Sequence, residues 1–106
     1  MGKFDIFNKF NSAVVIVNKK KEVAFQNNVF KRVFPDFQTL EKFSHKLNYE
    51  VCALNTEEVE VHSPILQAII SKEDFSAHVL YQTVNNDYYY YDLLATKKGE
   101  YTIIVF

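Results

Sequence analysis

The sequence predicts an α+β fold: one antiparallel sheet of five strands, short helices on one of its faces, and an amphipathic helix near the N-terminus. Three observations predict it. Residues 13–27 hold a β-branched run, a lysine turn and a returning apolar strand, which together read as a hairpin. The middle of the chain carries apolar residues three and four apart, the spacing of helices. The last third carries three apolar stretches separated by Asn85-Asn86-Asp87 and Lys98-Gly99, the punctuation of a β-meander. A hairpin, then helices, then a meander gives one sheet with helices packed against it.

The elements follow in order. "KFDIFNKF" sets Phe4, Phe7 and Phe10 three apart with Ile6 beside them, and predicts a helix over about 3–11 with an aromatic stripe. "AVVIVN" (13–18) is continuous and β-branched, so it reads as a strand buried on both faces. Lys19-Lys20-Lys21 makes the turn and "EVAFQN" (22–27) returns. Val29, Phe30, Val33 and Phe34 have helical spacing that stops at Pro35, because proline disfavours helix in the residue before it. Phe37, Leu40, Phe43 and Leu47 suggest a second helix. Residues 48–62 are ambiguous, with Asn55 as a candidate helix cap. Ser63 then reads as an N-cap, with Pro64 at the first helical position and Ile65, Leu66, Ile69 and Ile70 as the stripe. Strands are expected over 75–84, 88–97 and 100–106.

Composition narrows the function classes. The chain of 106 residues makes one domain, 1–106, and its 48% apolar content is enough for a packed core. A net charge of -1 offers no electrostatic footprint for nucleic acid or an anionic membrane, and the lone basic run is a hairpin tip. Cys52 is the single cysteine, so neither an internal disulfide nor CxxC metal spacing exists; a reducing compartment, the cytoplasm, fits. No stretch approaches the roughly 20 apolar residues that span a bilayer. Met1-Gly2 begins a myristoylation pattern, and Ile6 breaks it where Ser or Thr is required.

Four tyrosines in a row, Tyr88 to Tyr91, must alternate between the two faces of a strand. Residues 75–83 have Phe75, Ala77, Val79 and Tyr81 at odd positions, the more apolar set. Residues 88–97 have Tyr89, Tyr91, Leu93 and Ala95 at odd positions. The odd sets share a face only across a loop of odd length, which makes Asn85-Asn86-Asp87 loop throughout. The turn at Lys98-Gly99 then puts Thr102, Ile104 and Phe106 on that core face. Tyr88, Tyr90, Leu94, Tyr101, Ile103 and Val105 fall on the outer face, which is too apolar to be left in water. Phe4, Phe7 and Phe10 are expected to cover part of it. A homodimer through Phe4, Phe7, Phe10, Tyr88, Tyr90, Tyr101 and Ile103 is expected to cover the rest.

"AVVIVNKKKEVAFQNNVFKRVF" (13–34) resembles the opening of the PAS domain family: an apolar strand, a tight turn, a strand ending in Asn, and a helix ending in an apolar-Phe pair. Asn27 falls where such domains often have their Asn, and the three long strands with Gly99 in the last turn fit as well. The resemblance covers nearly the whole chain. Pro35 stands where a Gly often follows the Phe, and Asn18 where an Asp often ends the first strand. The chain stops at Phe106, where an Asp-x-Thr motif often leads to a signalling helix, so an effector region is expected to be absent.

The resemblance implies a PAS-like sensory or relay module of a bacterial-type signalling protein: a histidine kinase, diguanylate cyclase or chemoreceptor. It would act as a homodimer on a covalently linked effector. It implies a pocket between sheet and helices, for which Asn27, Ile65, Leu66, Ile69, Tyr81 and Tyr91 are the candidate ligand residues. A ligand-free dimerisation module and a small cystatin-like enzyme or carrier are the alternatives. PAS domains set their first strand centrally beside the last, which separates them from the cystatin-like case.

Each cofactor chemistry lacks its signature. The flavin-reactive Cys of light-sensing PAS domains lies in Gly-x-Asn-Cys-Arg, whereas Cys52 lies in "NYEVCALN". His62 precedes a helix start, where solvation suits it better than haem ligation. His45 and His78 share no metal-like spacing with it, and Glu58, Glu60 and His62 read as a solvated turn. Neither a phosphate loop nor a serine elbow is present, and Asp92 has no second carboxylate in sequence to work with. The expectation is no catalysis and no cofactor, with a small uncoloured ligand as the occupant. Contact with nucleic acid or membrane is not expected.

Overall fold

The computed structural model describes residues 4–49, 63–83 and 85–106. A 3-10 helix, Asp5–Lys9, leads into β1 (Val14–Asn18) and β2 (Val23–Gln26). Helices α1 (Asn28–Val33) and α2 (Leu40–Lys46) follow, then β3 (Leu47–Tyr49) and α3 (Pro64–Ile70). The meander is β4 (Phe75–Gln82), β5 (Tyr88–Lys98) and β6 (Tyr101–Val105). All pairings are antiparallel, in the order β2-β1-β6-β5-β4-β3. The first strand therefore lies inside the sheet, against the last.

The sheet has six strands where the sequence predicts five. The extra one, β3, takes Leu47 from the expected second helix and begins the stretch whose pattern is ambiguous. Three residues are too few to show alternation. Their conformation is set by pairing with β4, Leu47 opposite Tyr81 and Tyr49 opposite Val79. The remainder of 50–62, with Cys52, Asn55, Glu58, Glu60 and His62, lies outside the described residues, as does the Met1-Gly2 start.

The N-terminal helix is 3-10 and shorter than the expected 3–11. Phe7 N donates to Phe4 O at 3.0 Å and Phe10 N to Phe7 O at 3.2 Å, both three residues back. A 3-10 helix has three residues per turn, so a strict spacing of three keeps one edge aromatic. In an α-helix the same spacing would drift around the axis. Phe4 and Phe7 meet Phe25 at 5.9 and 6.4 Å, and Phe4 meets Tyr101 edge-on at 5.3 Å. The cover over the outer face is therefore made within one chain, at the β2 and β6 side of the sheet.

β1 is buried on both faces, as its unbroken apolar run requires. Val15 and Val17 join the helix-side core with Ile104, while Val14 and Ile16 are equally buried on the opposite face. Its turn is made by Asn18, whose Oδ1 accepts from Lys20 N and Glu22 N. Lys21 takes the left-handed conformation there, with φ 64°.

The meander keeps its predicted faces. Tyr81 stands opposite Tyr89, and Val79 opposite Tyr91, so the odd positions share the inner face. The last turn is Gly99–Glu100 rather than Lys98-Gly99, with Lys98 opposite Tyr101 and Gly99 at φ 60°. Moving the turn by one residue shifts each pairing by two, so no side chain changes face. Thr102 and Ile104 point inward as expected.

Helix α3 begins at Pro64 with Ser63 as its N-cap position, as predicted, but the Ser63 hydroxyl makes no cap bond and is buried without a partner among the described residues. Its C-terminal end is held from the sheet. Lys97 Nζ donates to Ala68 O, Ile69 O and Thr102 Oγ1 at 2.5, 2.7 and 2.8 Å. A cation at helix-end carbonyls suits both their lone pairs and the helix dipole. Burial pushes the Lys97 ammonium below its ordinary value, against the opposing pull of Asp74.

Asn27 fastens three segments together and is fully buried. Its Oδ1 accepts from Phe30 N at 2.8 Å, capping α1, and from Val14 N at 3.0 Å. Its Nδ2 donates to Phe7 O and Ser12 O, both at 2.8 Å. Every hydrogen-bonding position of the amide is used. Asn27→Ala should destabilise the chain by about 2–4 kcal/mol, because buried partners are left unpaired. A fall in urea midpoint with an unchanged slope would show it; an unchanged midpoint would contradict it.

Candidate functional site

Between the sheet and the helices lies a cluster of rings. Phe34 sits at its centre, 4.9 Å from Phe30, 5.0 Å from Phe43, 4.8 Å from Tyr81, 5.5 Å from Tyr91 and 5.3 Å from Phe106. Most of these pairs are tilted or edge-on, the arrangements that ring quadrupoles favour. Helix α1 delivers Phe30 and Phe34, α2 delivers Phe43, and the strands deliver the tyrosines. The rings fill the layer where a ligand of the expected kind would lie.

The sequence-predicted ligand residues are therefore dispersed in role. Asn27 spends its amide on backbone. Ile65 is buried in the core, with Leu66 and Ile69 packed against it. Of the six, Tyr81 and Tyr91 border open grooves. That space is two grooves at the end of the sheet that carries the β4–β5 hairpin. One, about 480 Å³, runs along α2 past Phe37, Phe43 and Lys46. The other, about 420 Å³, lies between Arg32 and Asp36 on one side and Asp87, Tyr89 and Tyr91 on the other. Tyr81 and Asp36 border both. Asp36 and Asp87 were not visible as site residues in the sequence, since only the turn after α1 brings the first beside β4.

Burial pushes the Tyr81 phenol above its ordinary value, and the nearby Asp36 carboxylate and Tyr91 push the same way. Burial does the same to Tyr91, helped by Tyr89. A phenol that holds its proton more tightly when folded contributes stability below the unfolded value. That contribution is lost as pH rises through the folded value. In an alkaline titration followed by phenolate absorbance, Tyr81→Phe and Tyr91→Phe should each delete a late step and leave the earlier ones. Loss of an early step in both variants would contradict the placement.

The outer face divides in two. Phe4 and Phe7 roof the side at β2 and β6, and with Tyr101 and Ile103 they border a shallow hollow of about 350 Å³. Phe10 is 42% exposed. Over β4 and β5 there is no such roof among the described residues: Tyr88, Tyr90 and Leu94 are 54%, 66% and 52% exposed. In the middle of this strip His78 Nδ1 and Asp92 Oδ1 lie 2.5 Å apart, on directly opposed residues. Asp92 thus has a partner that strand register supplies and sequence distance hides.

Among the described residues, no group of three or more His, Cys, Asp or Glu side chains could hold a metal ion. None of the described helices is long and apolar enough to cross a membrane. Neither a scan against protein-family models nor searches of curated proteins and of solved structures gives a match to this chain.

Proposed function

We propose that the chain is a PAS-like sensory and signal-relay module of a larger signalling protein. It is non-enzymatic by itself and acts on a covalently linked effector. The observation that carries this reading is the strand order, with β1 inside the sheet beside β6 and α1, α2 and α3 gathered on one face. A cystatin-like carrier would not set its first strand there. The capping of α1 by Asn27, at the position the resemblance marks, adds support.

The relay works through a second copy of the chain. The exposed strip of Tyr88, Tyr90 and Leu94 is the surface used, and its chemistry is self-complementary. With His78 and Asp92 already paired within each chain, the rings of one copy would meet the rings of the other across a two-fold axis. Sedimentation should give a dimer for the wild type and a folded monomer for Tyr90→Glu combined with Leu94→Glu. Both side chains leave the inner core untouched. A wild type that stays monomeric at high concentration removes the relay through this face.

Small-molecule sensing belongs to the same reading, and the open groove bordered by Tyr81 and Asp36 is its place. The ligand is uncoloured, in keeping with the lack of flavin or haem motifs. Visible absorbance of protein purified without added ligand would overturn that assignment.

A further inference from the structure

We infer that the outer face receives a second copy of the chain in one register, with Tyr90 of each copy entering the hollow beside Phe4, Tyr101 and Ile103 of the other. The inference rests on the relay reading above and names the part of the partner that the exposed strip meets.

The first observation is that a knob and a hollow share one face. Tyr90 stands on the outer face of β5 and is 66% exposed. The hollow of about 350 Å³ opens on the same face, bordered by Phe4, Ile6, Phe7, Lys98, Tyr101 and Ile103. All but Lys98 are apolar or aromatic, and Ile6 is 61% exposed. Tyr90 cannot reach this hollow within its own chain. It lies eight residues from Lys98 on β5, about 27 Å along an extended strand.

Symmetry is the second. Leu94, 52% exposed, lies midway between Tyr90 and Lys98 and on the same face. A two-fold axis that crosses β5 at Leu94, between two sheets laid face to face, turns position 90 of one copy onto position 98 of the other. The contact is then made twice and the interface closes. The relief of the face permits it. Phe4 rises over the Tyr101 end. β5 pairs with β6 only from Leu94 to Lys98, so its Tyr88 half has no such roof among the described residues. The raised end of each copy meets the bare end of the other. The rings of Phe4, Phe7 and Tyr101 then surround the incoming ring, and the Lys98 ammonium can lie over its face.

Area is the third. Taking about 200 Å² for a whole ring, Tyr88 and Tyr90 leave roughly 240 Å² in water, and Ile6 and Leu94 raise the apolar patch to on the order of 400 Å² per copy. A patch of that size commonly marks an interaction site. Homodimer interfaces are about 65% apolar, so two such patches correspond to about 1,200 Å² of interface, the lower bound for a stable one.

The test is chemical cross-linking beside sedimentation, in a Cys52→Ser background. Tyr88→Cys and Lys98→Cys flank the contact, leave Tyr90 in place and alter exposed positions. Within one chain they lie about 33 Å apart along β5, beyond the reach of a short bismaleimide. The protein carrying both should be joined into covalent dimers through links from 88 to 98. Either cysteine alone should stay unlinked, while Leu94→Cys alone should link to its own counterpart at the axis. Tyr90→Ala should raise the dissociation constant of the dimer about a hundredfold or more, since two such contacts are lost. A dimer whose links run from 88 to 88 overturns the register and leaves the relay standing; the hollow then has another occupant, residues 1–3 of the same chain among them. A wild type that stays monomeric overturns both. Should a cysteine variant misfold, equal dimer affinity in wild type and Tyr90→Ala would still overturn the contact.

Discussion

One carboxamide holds the architecture together. The side chain of Asn27 joins the end of β2 to the start of β1, the start of α1 and the exit of the 3-10 helix. No apolar residue could do this, because each of those segments presents an unpaired backbone group. Aspartate could accept but could not donate to Phe7 O and Ser12 O. The fold uses the only common side chain of this size that offers two acceptor positions and two donors. With the 3-10 helix fastened there, Phe4 and Phe7 are held over Phe25 and Tyr101. With α1 capped there, Phe34 is aimed at the sheet. Both layers of the protein, above and below β1, are thus set from one point.

The inner layer shows why a core so rich in rings leaves its openings at one end. Flat side chains pack well edge to face, and Phe34 gathers them at the middle of the layer. The strands continue past the reach of that cluster. Tyr89 is on the inner face yet 52% exposed, since none of the described helices extends over the end of β5. The grooves form where the rings run out, and the residues bordering them come from the chain turns: Asp36 after α1, Asp87 before β5.

Much of the fold was legible because side-chain alternation fixes faces without fixing register. The odd positions of β4 and β5 share a face for any odd loop, so the division of the four tyrosines followed from parity alone. The turn at Gly99–Glu100 could move and leave Ile104 inside and Ile103 outside. What the sequence did not disclose was set by partners distant in the chain. Leu47–Tyr49 is a strand only because β4 lies beside it. His78 and Asp92 are a pair only because register aligns them. Asn27 was recognisable as special, since the sequence marks a polar residue among apolar ones, but only the backbone around it shows which bonds its amide makes. The spacing of Phe4, Phe7 and Phe10 pointed to a helix, and only the backbone hydrogen bonds, made three residues back, showed it to be the shorter 3-10 form.

The pairing of β1 with β6 joins Val14 to Val105 and Asn18 to Tyr101, residues near opposite ends of the sequence. A chain leaving the ribosome can form the β1–β2 hairpin and α1 early, but β1 then has one open edge and an apolar face without its strand neighbour. Such an edge is a template for wrong pairing until Tyr101–Val105 has been synthesised. During that interval the roof of Phe4 and Phe7 lacks Tyr101 to rest on. The nascent chain therefore depends on a short delay being harmless, and a chaperone that recognises exposed β-branched strands would find its target in Val14–Val17.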